Sequence, residues 1–209
     1  MTSKTPDSLV LTDTQTTISD QQSNVIARCV QIEIHNLADQ WSPDFADSTI
    51  IVRCGAHAGS DPEPSADLLA QWSQDSWEPF NESLRAINDL AEQHNTTVVI
   101  RPGAGGRLSD AICTLSWAST NLPSLPHIEL LLDPAGWITP SMVSNLQDHL
   151  IRSTDLCVQM PSIWGVIVRS IMHKTPELLV EAPVGEGLIP TNLLDQTVGT
   201  IESPRVIRY

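Results

Sequence analysis

Basic residues are scarce in this chain. Of its 209 residues, 11 are Lys or Arg against 25 Asp or Glu, for a formal net charge of −14. A surface that acidic is repelled by phosphate backbones and anionic membranes, which argues against nucleic-acid and membrane partners. Lysine is nearly absent. Lys4 lies in a polar N-terminal stretch, so only Lys174 is left for Schiff-base chemistry. The four cysteines, Cys29, Cys54, Cys113 and Cys157, form no C-x-x-C pair. Neither a zinc site nor a redox motif is expected from them, and they read as small core residues. No apolar run approaches the roughly eighteen residues of a membrane helix. The N-terminus lacks the basic-then-apolar order of a signal peptide. A reduced, cytoplasmic chain is the expectation. Also missing is G-x-S-x-G, and with it the strand-to-helix elbow of a serine nucleophile.

What is present alternates. Residues 1–24 are rich in Thr, Ser, Asp and Gln and read as a flexible arm, with the short apolar piece Ser8–Leu11 as a candidate first strand. The remainder, 25–209, reads as a single domain. Strand signals fall at 28–35, 49–53, 97–101, 127–133, 165–169, 177–181 and 205–208. Between them, three- and four-residue apolar spacing predicts a helix over 75–94 and another from about Ser109 with Ile112, Leu115, Ser119 and Leu122 inward. A third helix follows Thr139-Pro140, and a fourth is capped by Thr191. Apolar strands alternating with amphipathic helices define an α/β fold with a parallel sheet covered on both faces. The strand count suits a small (β/α) barrel of the TIM type, with an open sheet as the alternative.

Four of the nine arginines share one place. Strands end Ile-Ile-Val-Arg53, Val-Val-Ile-Arg101, Val-Ile-Val-Arg169 and Val-Ile-Arg208, and a fifth ends Leu-Leu-Leu-Asp133. In parallel α/β folds the carboxyl ends of the strands open on the ligand-binding face. Guanidiniums gathered at one rim repel one another unless an anion or carboxylates offset them. Asp133, Glu33 and Glu181 could do so internally, and a bound phosphate or carboxylate could do so from outside. His57, just past Arg53, and Glu33 are further candidate rim residues. Asp133 with Glu33 and His57 could hold a divalent ion, but nothing in their spacing requires one. Arg101-Pro-Gly-Ala-Gly-Gly-Arg107 could cradle a phosphate on its amides; it lacks the dinucleotide fingerprint and reads better as a plain strand-to-helix connection.

The order of these motifs resembles the xylose-isomerase-like barrels, which include sugar-phosphate isomerases and epimerases and family-2 apurinic endonucleases. Ile-Ile-Val-Arg53-Cys-Gly, Val-Val-Ile-Arg101-Pro-Gly, Leu-Leu-Leu-Asp133-Pro-Ala-Gly and Pro183-Val-Gly-Glu186-Gly-Leu-Ile189 stand in the family's order over residues 48–209. The resemblance implies a TIM barrel, shortened or incomplete at its N-terminus. It also implies that Asp133 alone survives of the metal ligands. Arg101 and Arg208 stand where glutamates are expected, Gly136 or Trp137 and Arg169 where histidines are. Cations in place of anionic ligands disfavour a divalent metal, so no cofactor is expected.

Three functions follow from these residues. One is a metal-free pseudoenzyme binding a small anionic metabolite or sugar phosphate through Arg53, Arg101, Arg169 and Arg208. Another is an active isomerase or epimerase with Asp133 or Glu181 as general base. The third is an interaction domain without a ligand, each arginine paired to an acid. An incomplete barrel would also expose sheet edges and invite a homodimer.

Overall fold

The computed structural model describes residues 7–11, 17–19, 25–30, 34–54, 77–104, 106–201 and 205–208. Strands β1 (Asp7–Leu11), β2 (Thr17–Ser19) and β3 (Val25–Val30) open the chain, followed by β4 (Thr49–Cys54). Helix α1 (Trp77–Gln93) leads to β5 (Thr97–Pro102), α2 (Ala111–Asn121) to β6 (Ile128–Leu132), and α3 (Leu146–Cys157) to β7 (Ile163–Val168). Strands β8 (Ser170–Thr175) and β9 (Leu178–Ala182) form a separate antiparallel hairpin. Helix α4 (Thr191–Thr200) and β10 (Arg205–Arg208) end the described chain.

Eight strands close into a barrel in the order β1-β10-β7-β6-β5-β4-β3-β2. Every neighbouring pair is parallel except at β2, which runs antiparallel to both β1 and β3. The N-terminal part of the barrel is therefore abbreviated. A short antiparallel strand stands where a strand-helix unit would be, and only 3-10 turns at Ile34–Asn36 and Pro43–Phe45 separate β3 from β4 among the described residues. The candidate first strand at Ser8–Leu11 falls in β1, and Thr17–Ser19 of the same segment adds a second barrel strand. The strand expected over 28–35 ends at Val30, and its last residues instead enter the first of those turns.

The central strands are apolar on both faces because each face meets a core. Ile50 and Val52 of β4, Val98 and Ile100 of β5, and Leu130 and Leu132 of β6 pack outward beneath the helices. Ala27, Ile51, Val99, Leu131, Trp164, Ile167 and Ile207 fill the barrel interior. Layers of inward side chains of this kind make a TIM barrel a packed core rather than a pore.

Helix α1 buries Phe80, Leu84, Ile87 and Ala91, the spacing its sequence predicts, and Pro79 is tolerated because it sits in the first turn. Asp110 caps α2, its carboxylate accepting from the Cys113 amide at 2.7 Å. The inward face of α2 differs in part from expectation. Leu122 is buried and Leu115 packs against the core, but Ile112 is 70% exposed and Ser119 is exposed, while Ala111, Thr114, Trp117 and Ala118 are buried. The large indole of Trp117 sets this rotation, packing on Phe80 and donating to Asn81 Oδ1 at 2.9 Å. Before α3, residues Pro140–Asn145 coil as a 3-10 segment, so the α-helix starts later than Thr139-Pro140 suggests. Pro190, rather than Thr191, is the cap residue of α4.

Candidate functional site

Inward positions alternate along each strand, and the last inward residue of each lies at the carboxyl-end mouth of the barrel. Counting from Ile51 and Val99 in the interior, the next inward residues are Arg53 and Arg101. From Leu131 the next is Asp133, from Ile167 it is Arg169, and from Ala27 it is Cys29. Arg53 and Arg101 are direct partners in the β4–β5 register, so two like charges stand side by side on adjacent parallel strands. That juxtaposition is unfavourable unless anions are brought to it.

Asp133 is the anion at the centre. Its side chain is only 1% exposed. Arg101 donates to Asp133 Oδ2 from Nη2 at 2.6 Å and from Nε at 3.2 Å. From the other side, Arg169 donates from Nε to Oδ2 at 3.0 Å and to Oδ1 at 3.2 Å, with its Nη2 also 3.0 Å from Oδ2. The Gly136 amide donates to Oδ1 at 3.0 Å, so the same carboxylate caps the 3-10 turn Pro134–Trp137. Glu181 reaches in from the hairpin, accepting from Arg101 Nη2 at 2.8 Å and standing 3.8 Å from Arg169 Nη2.

These charges hold one another in place. Burial raises the pKa of Asp133, but Arg169 and Arg101 outweigh it and keep the carboxyl below the usual range. Glu181 is likewise lowered, burial being overcome by Arg101 and Arg169. Arg101 rises above the ordinary arginine value because Asp133 and Glu181 outweigh its burial. Burial and then the charge of Arg101 lower the pKa of Arg53, against the pull of Glu181. Among the described residues the mouth collects three guanidiniums and two carboxylates.

Arg101 uses Nε and Nη2 in hydrogen bonds, and Arg169 uses Nε, with its Nη2 in ion-pair contact with Asp133. Neither Nη1 has a protein acceptor among the described residues, and neither is sealed from solvent; the one sealed side-chain polar atom there without a partner is Trp41 Nε1.

Arg208 corrects an expectation, because it does not join this group. In the β10–β7 register Arg208 lies beside Val168, and both take the outward, helix-side face. The inward residue of β10 is Ile207. Arg208 instead meets Asp195 of α4 at 3.3 Å on the exterior, its side chain 43% exposed. A one-residue difference in framing reverses the side of the sheet. Glu33 and His57 lie outside the described residues.

The glycine-rich turn after β5 is a plain connection. The Ala104 amide donates to the Gly136 carbonyl at 3.0 Å and the Gly106 amide to the Gly103 carbonyl at 3.2 Å, so neither is offered to a phosphate. The Gly-Glu-Gly segment does have a tertiary role. The Leu188 amide donates to the Ile171 carbonyl at 2.7 Å and the Ile189 amide to Ser170 Oγ at 3.0 Å, pinning the base of the hairpin. A β-carbon at Gly187 would collide with Ser170 Oγ and the Ile171 carbonyl. Cys54 and Cys157 are buried core residues as expected, and burial and the nearby Asp133 charge push the Cys157 thiol up to about 12. Cys29, by contrast, is half-buried at the mouth between Arg101 and Arg53, a place only its inward parity with Ala27 could have indicated.

A divalent metal does not fit the described part of this site. Asp133 already accepts from two guanidiniums and an amide. A cation there would stand against two fixed positive groups. Among the described residues no three His, Cys, Asp or Glu side chains cluster as a ligand set.

No protein-family model matches the chain, and no curated protein sequence does. Solved structures do match it. The probable 3-DHS dehydratase AsbF of Bacillus anthracis, involved in petrobactin synthesis, superposes with a TM-score of 0.54 at 15% identity, over 88% of this chain and 68% of that one. A xylose isomerase-like TIM barrel protein of Mycobacterium smegmatis, solved with magnesium, gives 0.48 at 9% identity over 83% of this chain. A 3-keto-D-glucoside 4-epimerase of E. coli gives 0.45 at 15% identity over 83%. This chain spans 57% and 59% of the length of the last two. The fold is a (β/α) barrel of the TIM type, and it is shared with the dehydratase. Its structural neighbours include sugar epimerases and dehydratases, while no described helix is long and apolar enough to cross a membrane.

Proposed function

We propose that this chain is a metal-free xylose-isomerase-like barrel that binds a small anionic sugar or metabolite, such as a sugar phosphate, at the mouth lined by Arg53, Arg101 and Arg169. The observation that carries this reading is the pair of buried guanidiniums locked on Asp133 at the strand-end mouth, with Arg53 beside Arg101 in the β4–β5 register and no hydrogen bond from either Nη1 to a described residue. Guanidiniums held in this way suit planar, two-pronged recognition of phosphate or carboxylate. Their orientation is set before any ligand arrives, which lowers the entropy cost of binding.

Asp133 is in this reading an anchor. Its lone pairs are occupied and its pKa is lowered, so it has no capacity to abstract a proton. Arg101 and Arg169 supply fixed positive charge where related barrels would use a metal. An acidic exterior around a basic focus also favours a small anion over an extended polyanion, which would meet the −14 surface.

Thermal denaturation of the full chain tests this. Inorganic phosphate or a sugar phosphate raises Tm, and EDTA leaves it unchanged. A ligand at a hundredfold excess over Kd adds about 2.7 kcal/mol, and each kcal/mol is worth about 2–4 °C for a chain of this size. Absence of stabilisation by every small anion tried refutes the reading. So does a stoichiometric divalent metal whose removal lowers Tm.

A further inference from the structure

The two carboxylates at the mouth are held very differently. Asp133 accepts from Arg101, Arg169 and the Gly136 amide, and its side chain is 1% exposed. Glu181 accepts one hydrogen bond, from Arg101 Nη2 to Oε1, and its side chain is 14% exposed. Its other oxygen, Oε2, has no donor among the described residues and is not sealed from solvent. The charge that Glu181 meets is therefore the same guanidinium pair that grips Asp133, Arg101 Nη2 at 2.8 Å and Arg169 Nη2 at 3.8 Å.

The backbone that carries Glu181 is fixed. Glu181 lies opposite Ile171 in the hairpin, next to Ala182, and both of those neighbours are buried. The Ser170 and Ile171 end of the hairpin is pinned by the amides of Ile189 and Leu188. Any movement of the carboxylate is thus a rotation about side-chain bonds, with no rearrangement of the hairpin.

Resting on the anion-binding reading above, the geometry points to Glu181 as a displaceable internal counter-ion. Its carboxylate covers the outer side of the Arg101–Arg169 pair when no ligand is present, and an entering anion takes its place while Glu181 rotates towards solvent. The tethered carboxylate competes at high effective concentration. Only an anion that engages both arginines outbids it, so Glu181 sets the threshold for which anions are held. A pair closed about nine-tenths of the time weakens an entering anion about tenfold.

Calorimetric titration of the full-length wild type, Glu181→Gln and Glu181→Ala with inorganic phosphate tests this. Both variants are expected to bind about tenfold more tightly than wild type. In 13C-labelled wild type, the side-chain carboxyl resonance of Glu181 is expected to shift as phosphate saturates the site. Variants that bind no more tightly than a binding wild type overturn the counter-ion role and leave the anion reading standing. No phosphate binding by any of the three proteins overturns both. Should the variants not fold, the wild-type carboxyl resonance decides alone, and a signal unmoved at saturating phosphate refutes the displacement.

Discussion

A β-carbon on Gly136 would stand 2.8 Å from Asp133 Oδ2 and 2.9 Å from its Cγ. This one spacing explains why position 136 carries no side chain. The carboxylate folds back over the 3-10 turn it caps, and the arginine of the next strand closes over both; Arg169 Nη2 would lie 3.3 Å from the same added carbon. Gly136→Ala is expected to cost roughly 1–3 kcal/mol in urea unfolding, the range for overpacking a tight site. Gly199→Ala is the control. Nothing lies within 4 Å of its added carbon, it sits inside α4, and helix propensity favours alanine there by about 1 kcal/mol.

Asp133→Asn keeps the shape of the hub and removes its charge. Two buried guanidiniums then face each other with only Glu181 between them, and breaking a buried ion pair in this way costs about 3–5 kcal/mol. The prediction is a lower urea midpoint with an unchanged m-value. A variant as stable as wild type would show that Arg101 and Arg169 do not depend on this carboxylate.

Acid should loosen the same hub. Asp133 and Glu181 are both held below their ordinary values of 3.8 and 4.5 in the folded protein. In that region the unfolded chain binds more protons than the folded one, so stability falls as pH falls. The contribution of these two groups is complete above about pH 4.5 and is lost as pH drops below 3.8 and through the folded-state values. Thermal scans from about pH 7 to about pH 3 should show a flat upper region and a steep acid limb, shallower in Asp133→Asn. An acid limb of equal slope in both proteins would assign the loss to other carboxylates.

Arg208 and Arg169 separate surface from site. The Arg208–Asp195 pair is exposed on both sides, and such pairs contribute about 0–1 kcal/mol. Arg208→Ala should therefore leave phosphate-induced stabilisation at its wild-type value. Arg169→Lys keeps the charge and loses the planar fork that grips Asp133. It should abolish most of the phosphate response. Equal responses in the two variants would contradict the placement of the binding groups.

The strand-end pattern carried much of this arrangement in readable form. Arg53, Arg101, Asp133 and Arg169 each follow an apolar run by the same step, and alternation along a strand puts them on one side wherever the framing is regular. Arg208 looked identical in that reading. Its strand is framed so that Ile207 faces inward, and the register to β7 that settles this is a pairing between segments far apart in the chain. The exposure of Ile112 on α2 has a related cause. Ile112 and Ala111 are adjacent, and it is the fit of Trp117 against Phe80 and Asn81 that chooses between them.

Composition and periodicity by themselves determined that this chain makes apolar strands and amphipathic helices in alternation, and that basic groups are few and mostly at strand ends. Those properties are local, arising from side-chain chemistry and the two- and near-four-residue repeats of strand and helix. Tertiary structure alone decided that three of the four strand-end arginines converge and that Asp133 is shared between two of them. It also decided that Glu181 arrives from a hairpin outside the barrel sheet. Convergence depends on register, closure and crossing segments, which bring together residues 32 and 80 positions apart. The interaction that then wins is Coulombic attraction in a buried place, and burial exists only once the chain has folded.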